Sequence, residues 1–185
     1  MIQEILTDAE GRMKSALSVL KGDLEGIRTG RATPALVEKL EVDYYGAPTP
    51  FNQVATISVP EGRTILIRPF EASLIRAMEK SIQASDLGLT PSNDGKQIRL
   101  MLPPLTEQRR KELVKVVNNR LEESRVAIRN VRRDAVKSMK DAEKEKLVSE
   151  DELKGGEDKL QKLTDKMTAE VEVIGKKKEA EIMEV

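Results

Sequence analysis

The chain has 185 residues with 32 basic and 32 acidic side chains, so its formal charge is zero, and it contains neither cysteine nor histidine. Those absences exclude disulfides, thiolate nucleophiles, imidazole bases and the usual zinc ligand sets. No phosphate loop of the Gly-x-x-x-x-Gly-Lys-Ser/Thr kind occurs, residues 26–31 included, so nucleotide hydrolysis by the chain itself is not expected. No catalytic constellation, metal site or cofactor site is expected. The first residues carry Glu4, Asp8 and Glu10 and resemble neither a signal nor a transit peptide. With no apolar run of membrane-spanning length, a cytoplasmic protein without membrane attachment is expected.

All 8 prolines lie between Pro34 and Pro104, as do both tyrosines and both phenylalanines, and the flanks have none of these. Proline-free flanks with apolar residues every three or four positions read as long helices, and the centre reads as a mixed α+β insert. The expected fold class is therefore α+β: a three-helix bundle from residues 1–30 and 106–185, with an inserted β/α/β domain from 31–105. In the first helix Leu6, Met13, Leu20 and Ile27 repeat every seven residues, with Ile2, Ala9 and Ala16 as a second series, which makes a bundle seam. Gly22, Gly26 and Gly30 are spaced by four. Lys21, Asp23, Glu25 and Arg28 exclude a lipid-facing reading, leaving close packing or a weak helix end.

In the insert, residues 40–45 alternate as a strand, and Gly46, Ala47, Pro48, Thr49 and Pro50 read as a rigid turn. Residues 55–59 and 64–68 form a hairpin about Pro60, Glu61, Gly62 and Arg63. Residues 72–84 have helical spacing through Leu74, Ile75, Met78 and Ile82, with Gly88 placed to end the helix. A last strand, 97–102, follows the Asn93, Asp94 and Gly95 turn. The insert is tethered at Thr29, Gly30 and Arg31 and again at Pro103, Pro104 and Leu105, which makes these six residues the expected hinge.

Pro103 and Pro104 forbid helix before Thr106, which can cap a second helix of some forty residues, about 60 Å long. Its stripe runs through Leu113, Val117, Leu121, Ile128, Val131, Ala135 and Met139. Ser149 and Glu152 form a capping box for the third helix, which continues through Leu153, Leu160, Leu163, Met167, Val171 and Ile174. Gly155 and Gly156 fall in its first turns and are expected to fray it, at about 1 kcal/mol each.

Beside the second helix's apolar stripe, Arg125, Arg129, Arg132 and Arg133 share one arc about 100° wide. Arginine's planar fork suits paired phosphate oxygens better than a lysine point charge does. A solvated face paired with nearby acids is the plain alternative. Only Asp134 lies inside the cluster, with Glu122 and Glu123 upstream, so local pairing is not expected to neutralise it and a polyanion partner is. Residues 106–148 hold 13 basic and 8 acidic side chains, and 149–185 hold 7 and 11, so a helix at +5 is followed by one at −4. Arg28 and Arg31 at the first crossover, with Arg109 and Arg110 after the second, would extend the basic surface, although a glycine-hinged linker with solvated arginines has the same sequence. Tyr44 and Tyr45, on opposite faces of one strand, read as a core tyrosine with an exposed neighbour rather than a base-stacking pair. Adjacent carboxylates such as Glu122 with Glu123 or Asp151 with Glu152 do not converge on one substrate.

Five motifs in register, Ile27-Arg28-Thr29-Gly30-Arg31-Ala32, Tyr44-Tyr45-Gly46 with Thr49-Pro50, Ser85-Asp86-Leu87-Gly88-Leu89, Pro103-Pro104-Leu105-Thr106-Glu107 and Arg129-Asn130-Val131-Arg132-Arg133-Asp134-Ala135, closely resemble the ribosome recycling factor family over essentially the whole chain. That resemblance implies an L-shaped, two-domain translation factor. With elongation factor G and GTP, it would split the post-termination ribosome into subunits. Arg132 would lie at the centre of a contact with large-subunit ribosomal RNA, with Arg28, Arg31, Arg129 and Arg133 around it and Arg125 on the same face. Elongation factor G would push on the small domain, and the chain would act as a monomer. A coiled-coil interaction protein would explain the heptads but not the arginine face; an RNA-modifying enzyme would explain the arginines but lacks a catalytic set.

Overall fold

The computed structural model describes residues 1–184. Its elements are α1 (Ile2–Glu25), β1 (Glu41–Tyr44), β2 (Ala47–Pro50), the single turn α2 (Phe51–Val54), β3 (Ala55–Glu61), β4 (Thr64–Pro69), α3 (Ile75–Ala84), β5 (Pro91–Asn93), β6 (Ile98–Met101), α4 (Glu107–Lys144) and α5 (Glu150–Met183). Chain contacts divide it into two compact units, Met1–Leu24 with Glu112–Ala180, and Glu25–Lys111 with the residues from Glu181 on. The boundaries read from sequence, at 30/31 and 105/106, fall inside the second unit. Among the described residues no helix is long and apolar enough to cross a membrane.

The first unit is the helical bundle. All seven stripe residues of α4, from Leu113 to Met139, are buried. The helix starts where the sequence puts it: Thr106 Oγ1 accepts the Arg109 backbone N–H at 3.1 Å. α5 begins at the Ser149 cap, whose Oγ accepts the Glu152 N–H at 3.1 Å and donates to the Glu152 carboxylate at 3.3 Å. α1 departs from its heptads. Leu6, Ala9, Met13, Leu17, Leu20 and Leu24 are buried, Ala16 is only half-buried, and the helix stops at Glu25, short of Ile27. Spacings of three, four, four, three and four follow the 3.6-residue period of a straight helix, which a strict seven-residue repeat does not.

The paired glycines of α5 do not interrupt it, because they sit in different surroundings. Gly155 is exposed with nothing within 4 Å of where a Cβ would be. Gly156 is buried, and a Cβ there would lie 2.8 Å from Ile2 Cγ2 and 3.2 Å from Met139 Sδ, so its missing side chain lets α1 and α4 close on α5. Gly175 does the same farther along, where a Cβ would lie 2.4 Å from Leu121 Cδ1. Helix continuity is held by packing that offsets the low intrinsic propensity of glycine.

The second unit holds a four-stranded antiparallel sheet ordered β3-β4-β6-β5 and a separate β1-β2 hairpin, with α3 packed on β1 and β5. Its core is mostly aliphatic, with Ile65, Ile67, Ile82, Ile98 and Leu100 fully enclosed together with Met78 and the aromatic ring of Phe51. Several local expectations are corrected here. Residues 47–50 are strand β2 rather than a turn, because the reversal is made by Tyr45 and Gly46 alone, at φ 51° and 87°. That is the primed two-residue turn that suits a twisted hairpin, and the prolines opposite Glu41 and Asp43 are tolerated in a two-stranded sheet with open edges. Tyr45 therefore leaves the strand: the two tyrosines do not alternate across it but meet edge to face at 4.6 Å, Tyr44 packed on the core and Tyr45 83% exposed. α3 is preceded by a 3₁₀ turn at Ala72–Leu74 and ends at Ala84, before Gly88, since Ser85 turns extended and its hydroxyl donates to the Ile82 carbonyl at 2.6 Å. Strand β5, without an alternating apolar pattern, was not expected.

The glycines of α5 give a paired test. Gly155→Ala should raise stability by about 0.5–1 kcal/mol through helix propensity. Gly175→Ala should lower it, since overpacking against Leu121 costs about 1–3 kcal/mol. Thermal melts followed by circular dichroism measure both. Equal shifts of the same sign would show that α5 does not pack on α4 at Gly175.

Candidate nucleic-acid interface

Four of the six arginines singled out by sequence lie on α4 in the first unit, and Arg28 and Arg31 lie in the second. On α4 the apolar stripe fixes the rotation of the helix, which sets the neighbouring arc outward. Arg129, Arg132 and Arg133 are exposed, while Arg125 is largely covered, with 28% of its side chain accessible.

Pairing along this arc is more extensive than the sequence implies. Arg125 donates from Nε to Glu172 Oε1 on α5 at 2.8 Å, its Nη2 lies 2.6 Å from the same oxygen, and its Nη1 reaches Glu122 Oε2 at 3.2 Å. Arg129 reaches back two turns to Glu122 Oε1 at 2.8 Å. The expectation that local acids leave the cluster unneutralised therefore fails for Arg125 and Arg129. Glu122 falls on the arginine arc itself, between Arg129 and Arg133 in angle at about 100° per residue, and so lies within their reach. Glu172 comes from a helix 47 residues away in sequence. Arg133 has a loose partner in Asp134 at 3.8 Å, and Asp134 is also held by Arg12 of α1 at 3.1 Å. Arg132 forms no ion pair among the described residues.

Proton affinities follow the same geometry. Hydrogen bonds from Arg129 and then Arg125 hold the Glu122 carboxyl below the ordinary carboxylate value. The hydrogen bond to Glu172 raises Arg125 above the ordinary arginine value. The chain Arg129–Glu122–Arg125–Glu172 is thus locally neutral, and the uncompensated positive charge of the face lies at Arg132 and Arg133.

In the second unit the two crossovers touch. Arg28 Nη2 donates to the Pro103 carbonyl at 2.6 Å, and burial followed by the charge of Arg109 lowers the Arg28 guanidinium from its usual value. Thr29 is buried, its hydroxyl accepting the Arg31 N–H at 3.2 Å and closing a small turn. Arg31 meets Glu184 at 3.3 Å. Gly30, Pro104 and Leu105 line a cavity of about 240 Å³ with Arg31, Arg63 and Arg110, so two further arginines stand beside the expected hinge. Arg63 escaped sequence reading because it sits in the β3–β4 turn, far from the crossovers in sequence.

Residues 20–183 match the family model described as Ribosome recycling factor. The chain belongs to the ribosome recycling factor family. It is 57% identical over 185 residues to the ribosome-recycling factor of Symbiobacterium thermophilum, covering 100% of both chains. Among solved structures it is similar to a solution structure of the ribosome recycling factor, at 44% identity and TM-score 0.80, covering 100% of this chain and 98% of that one. It is also similar to a Thermus thermophilus ribosome recycling factor described, with the E. coli elongation factor G, as bound to the E. coli post-termination complex, at 45% identity and TM-score 0.69 with 100% of both chains covered. The similarity to these relatives spans both compact units of the chain.

Proposed function

We propose that the chain, acting as a monomer in the cytoplasm, binds the post-termination ribosome and works with elongation factor G and GTP to separate its subunits. Its own part is binding and force transmission, with no catalytic residue. Family membership and the solved relative described with elongation factor G on a post-termination complex support this reading. The α4 face is the anchor on large-subunit ribosomal RNA. The observation that carries this is Arg132, a guanidinium held outward by a buried helix stripe with no carboxylate partner among the described residues. A polyanion supplies what the protein withholds, and guanidinium suits paired phosphate oxygens. Arg133 and Arg129 flank it. Arg125 is the least exposed of the four and serves mainly to hold α5 to α4. Arg28 and Arg31 add a second basic contact at the crossovers.

Residues 1–30 and 106–185 act as the anchoring bundle in this reading, and 31–105 as the domain that receives the push. Thr29, Gly30 and Arg31, with Pro103, Pro104 and Leu105, form the hinge between them. The Arg28 contact with Pro103 favours this, since it ties the two crossovers so that they turn as one strap. A Cβ at Gly30 would meet only the Glu184 carbonyl at 3.8 Å, so crowding does not call for glycine here and what it brings to the role is backbone freedom.

Two measurements test these roles. Arg132→Ala should weaken ribosome binding by about 1.5–3 kcal/mol, the worth of a charge-assisted hydrogen bond, and Arg129→Ala should add to the loss. Unchanged affinity of the double variant at unchanged helicity would remove the face from the mechanism. Gly30→Pro fixes φ near −65° and should leave ribosome binding within about twofold while slowing subunit splitting with elongation factor G and GTP. Splitting at the unmodified rate would place the motion elsewhere in the chain.

A further inference from the structure

Within residues 122–133 of α4, Glu122 is the one acidic side chain on the arginine arc, and its two oxygens are used separately. Oε1 takes Arg129 Nη2 at 2.8 Å and Oε2 takes Arg125 Nη1 at 3.2 Å. The two arginines differ in what else holds them. Arg125 is also gripped through Nε and Nη2 by Glu172 and is mostly covered. Arg129 is 62% exposed, and Glu122 is its carboxylate partner among the described residues. Losing Glu122 would leave Arg125 clamped and set Arg129 free.

We propose that Glu122 is an internal stand-in for an RNA phosphate, holding Arg129 back along α4 until a phosphate engaged beside Arg132 displaces the carboxylate. The inference rests on the RNA-reading role proposed for this face and adds a residue that sets its affinity. Glu122 presents one oxygen to Arg129, as a phosphate oxygen would, so the exchange conserves that hydrogen bond and changes only which anion receives it. The pair is exposed and therefore weak, which makes displacement accessible. Glu122 still opposes RNA in two ways: the pair must open, and its charge then faces the incoming backbone. A lone contact at Arg132 gains nothing from Arg129, whereas a backbone that follows the arc gains both. The carboxylate thus favours an RNA shaped to the helix over stray polyanions, by penalising the wrong partner.

The test measures binding of the full chain to purified large ribosomal subunits at fixed moderate salt. Glu122→Gln keeps the size and one acceptor, and should tighten binding about threefold to fivefold, the upper part of the range of an exposed ion pair. In an Arg129→Ala background the same change should gain less than about twofold, because no arginine remains to be released. Glu123→Gln serves as a charge control. Its carboxylate is held by Arg120 at 3.0 Å, off the arc, and it should also gain less than about twofold. Unchanged or weaker binding of Glu122→Gln would overturn the inference, showing that the carboxylate positions Arg129 or stands aside. Equal gains with and without Arg129, or an equal gain from Glu123→Gln, would overturn it too, as a general charge effect. If Arg132→Ala weakens binding while Glu122→Gln does not tighten it, only the role of Glu122 falls. If Arg132→Ala has no effect, the RNA-reading role falls first.

Discussion

Arg125 joins two carboxylates on two helices, Glu172 on α5 and Glu122 on its own, and the character of the whole arginine face depends on how those acids are spent. Because Glu172 grips the more covered arginine, α5 is fixed against α4 at the level where Gly175 also lets Leu121 approach. Because Glu122 takes Arg129 as well, the unmatched charge shifts one turn toward Arg132. Of the four arginines on this face, Arg132 is thus the one with no carboxylate partner among the described residues. The same contacts that assemble the bundle also choose which arginine is offered.

That choice needs a rigid helix beneath it. The stripe of α4 has large residues through most of its length and small ones at Ser124 and Ala135, and every one of these positions is buried. With few aromatics in the chain, burial comes from aliphatic side chains and methionine packed at close helix approach, which explains why glycine at 156 and 175 is useful within a long helix. The second unit solves the same problem differently. Its sheet alternates aliphatic residues inward, as Ile65 and Ile67 on β4 and Ile98 and Leu100 on β6, and α3 adds Ile75, Met78 and Ile82. Each unit therefore has its own core.

Much of this was legible in the sequence because the decisive signals are local. Thr106 after two prolines, Ser149 with Glu152, and the spacing of Leu113 to Met139 each depend on residues within a turn or two, and each is realised. Local reading failed where neighbours from elsewhere decide. Tyr45 at positive φ has no turn signature, so the prolines after it drew the turn to themselves although they belong to β2. Gly156 looks like a helix weakness until Ile2 and Met139 are known to touch it. On the arginine face, Glu122 was within reach of the same helical-wheel argument that found the arginines, whereas Glu172 required the packing of α5. The arc was readable from spacing alone; the distribution of free charge along it was not.

Salt dependence measures that distribution directly. Each phosphate neutralised releases condensed counterions, so the slope of log affinity against log salt counts the contacts in use. Removing Arg132 should reduce the slope for large ribosomal subunits by about one unit, while removing Arg120, which is paired with Glu123 off the arc, should leave it unchanged. Equal slopes for the unmodified chain and Arg132→Ala would contradict the assignment of Arg132 as the phosphate anchor.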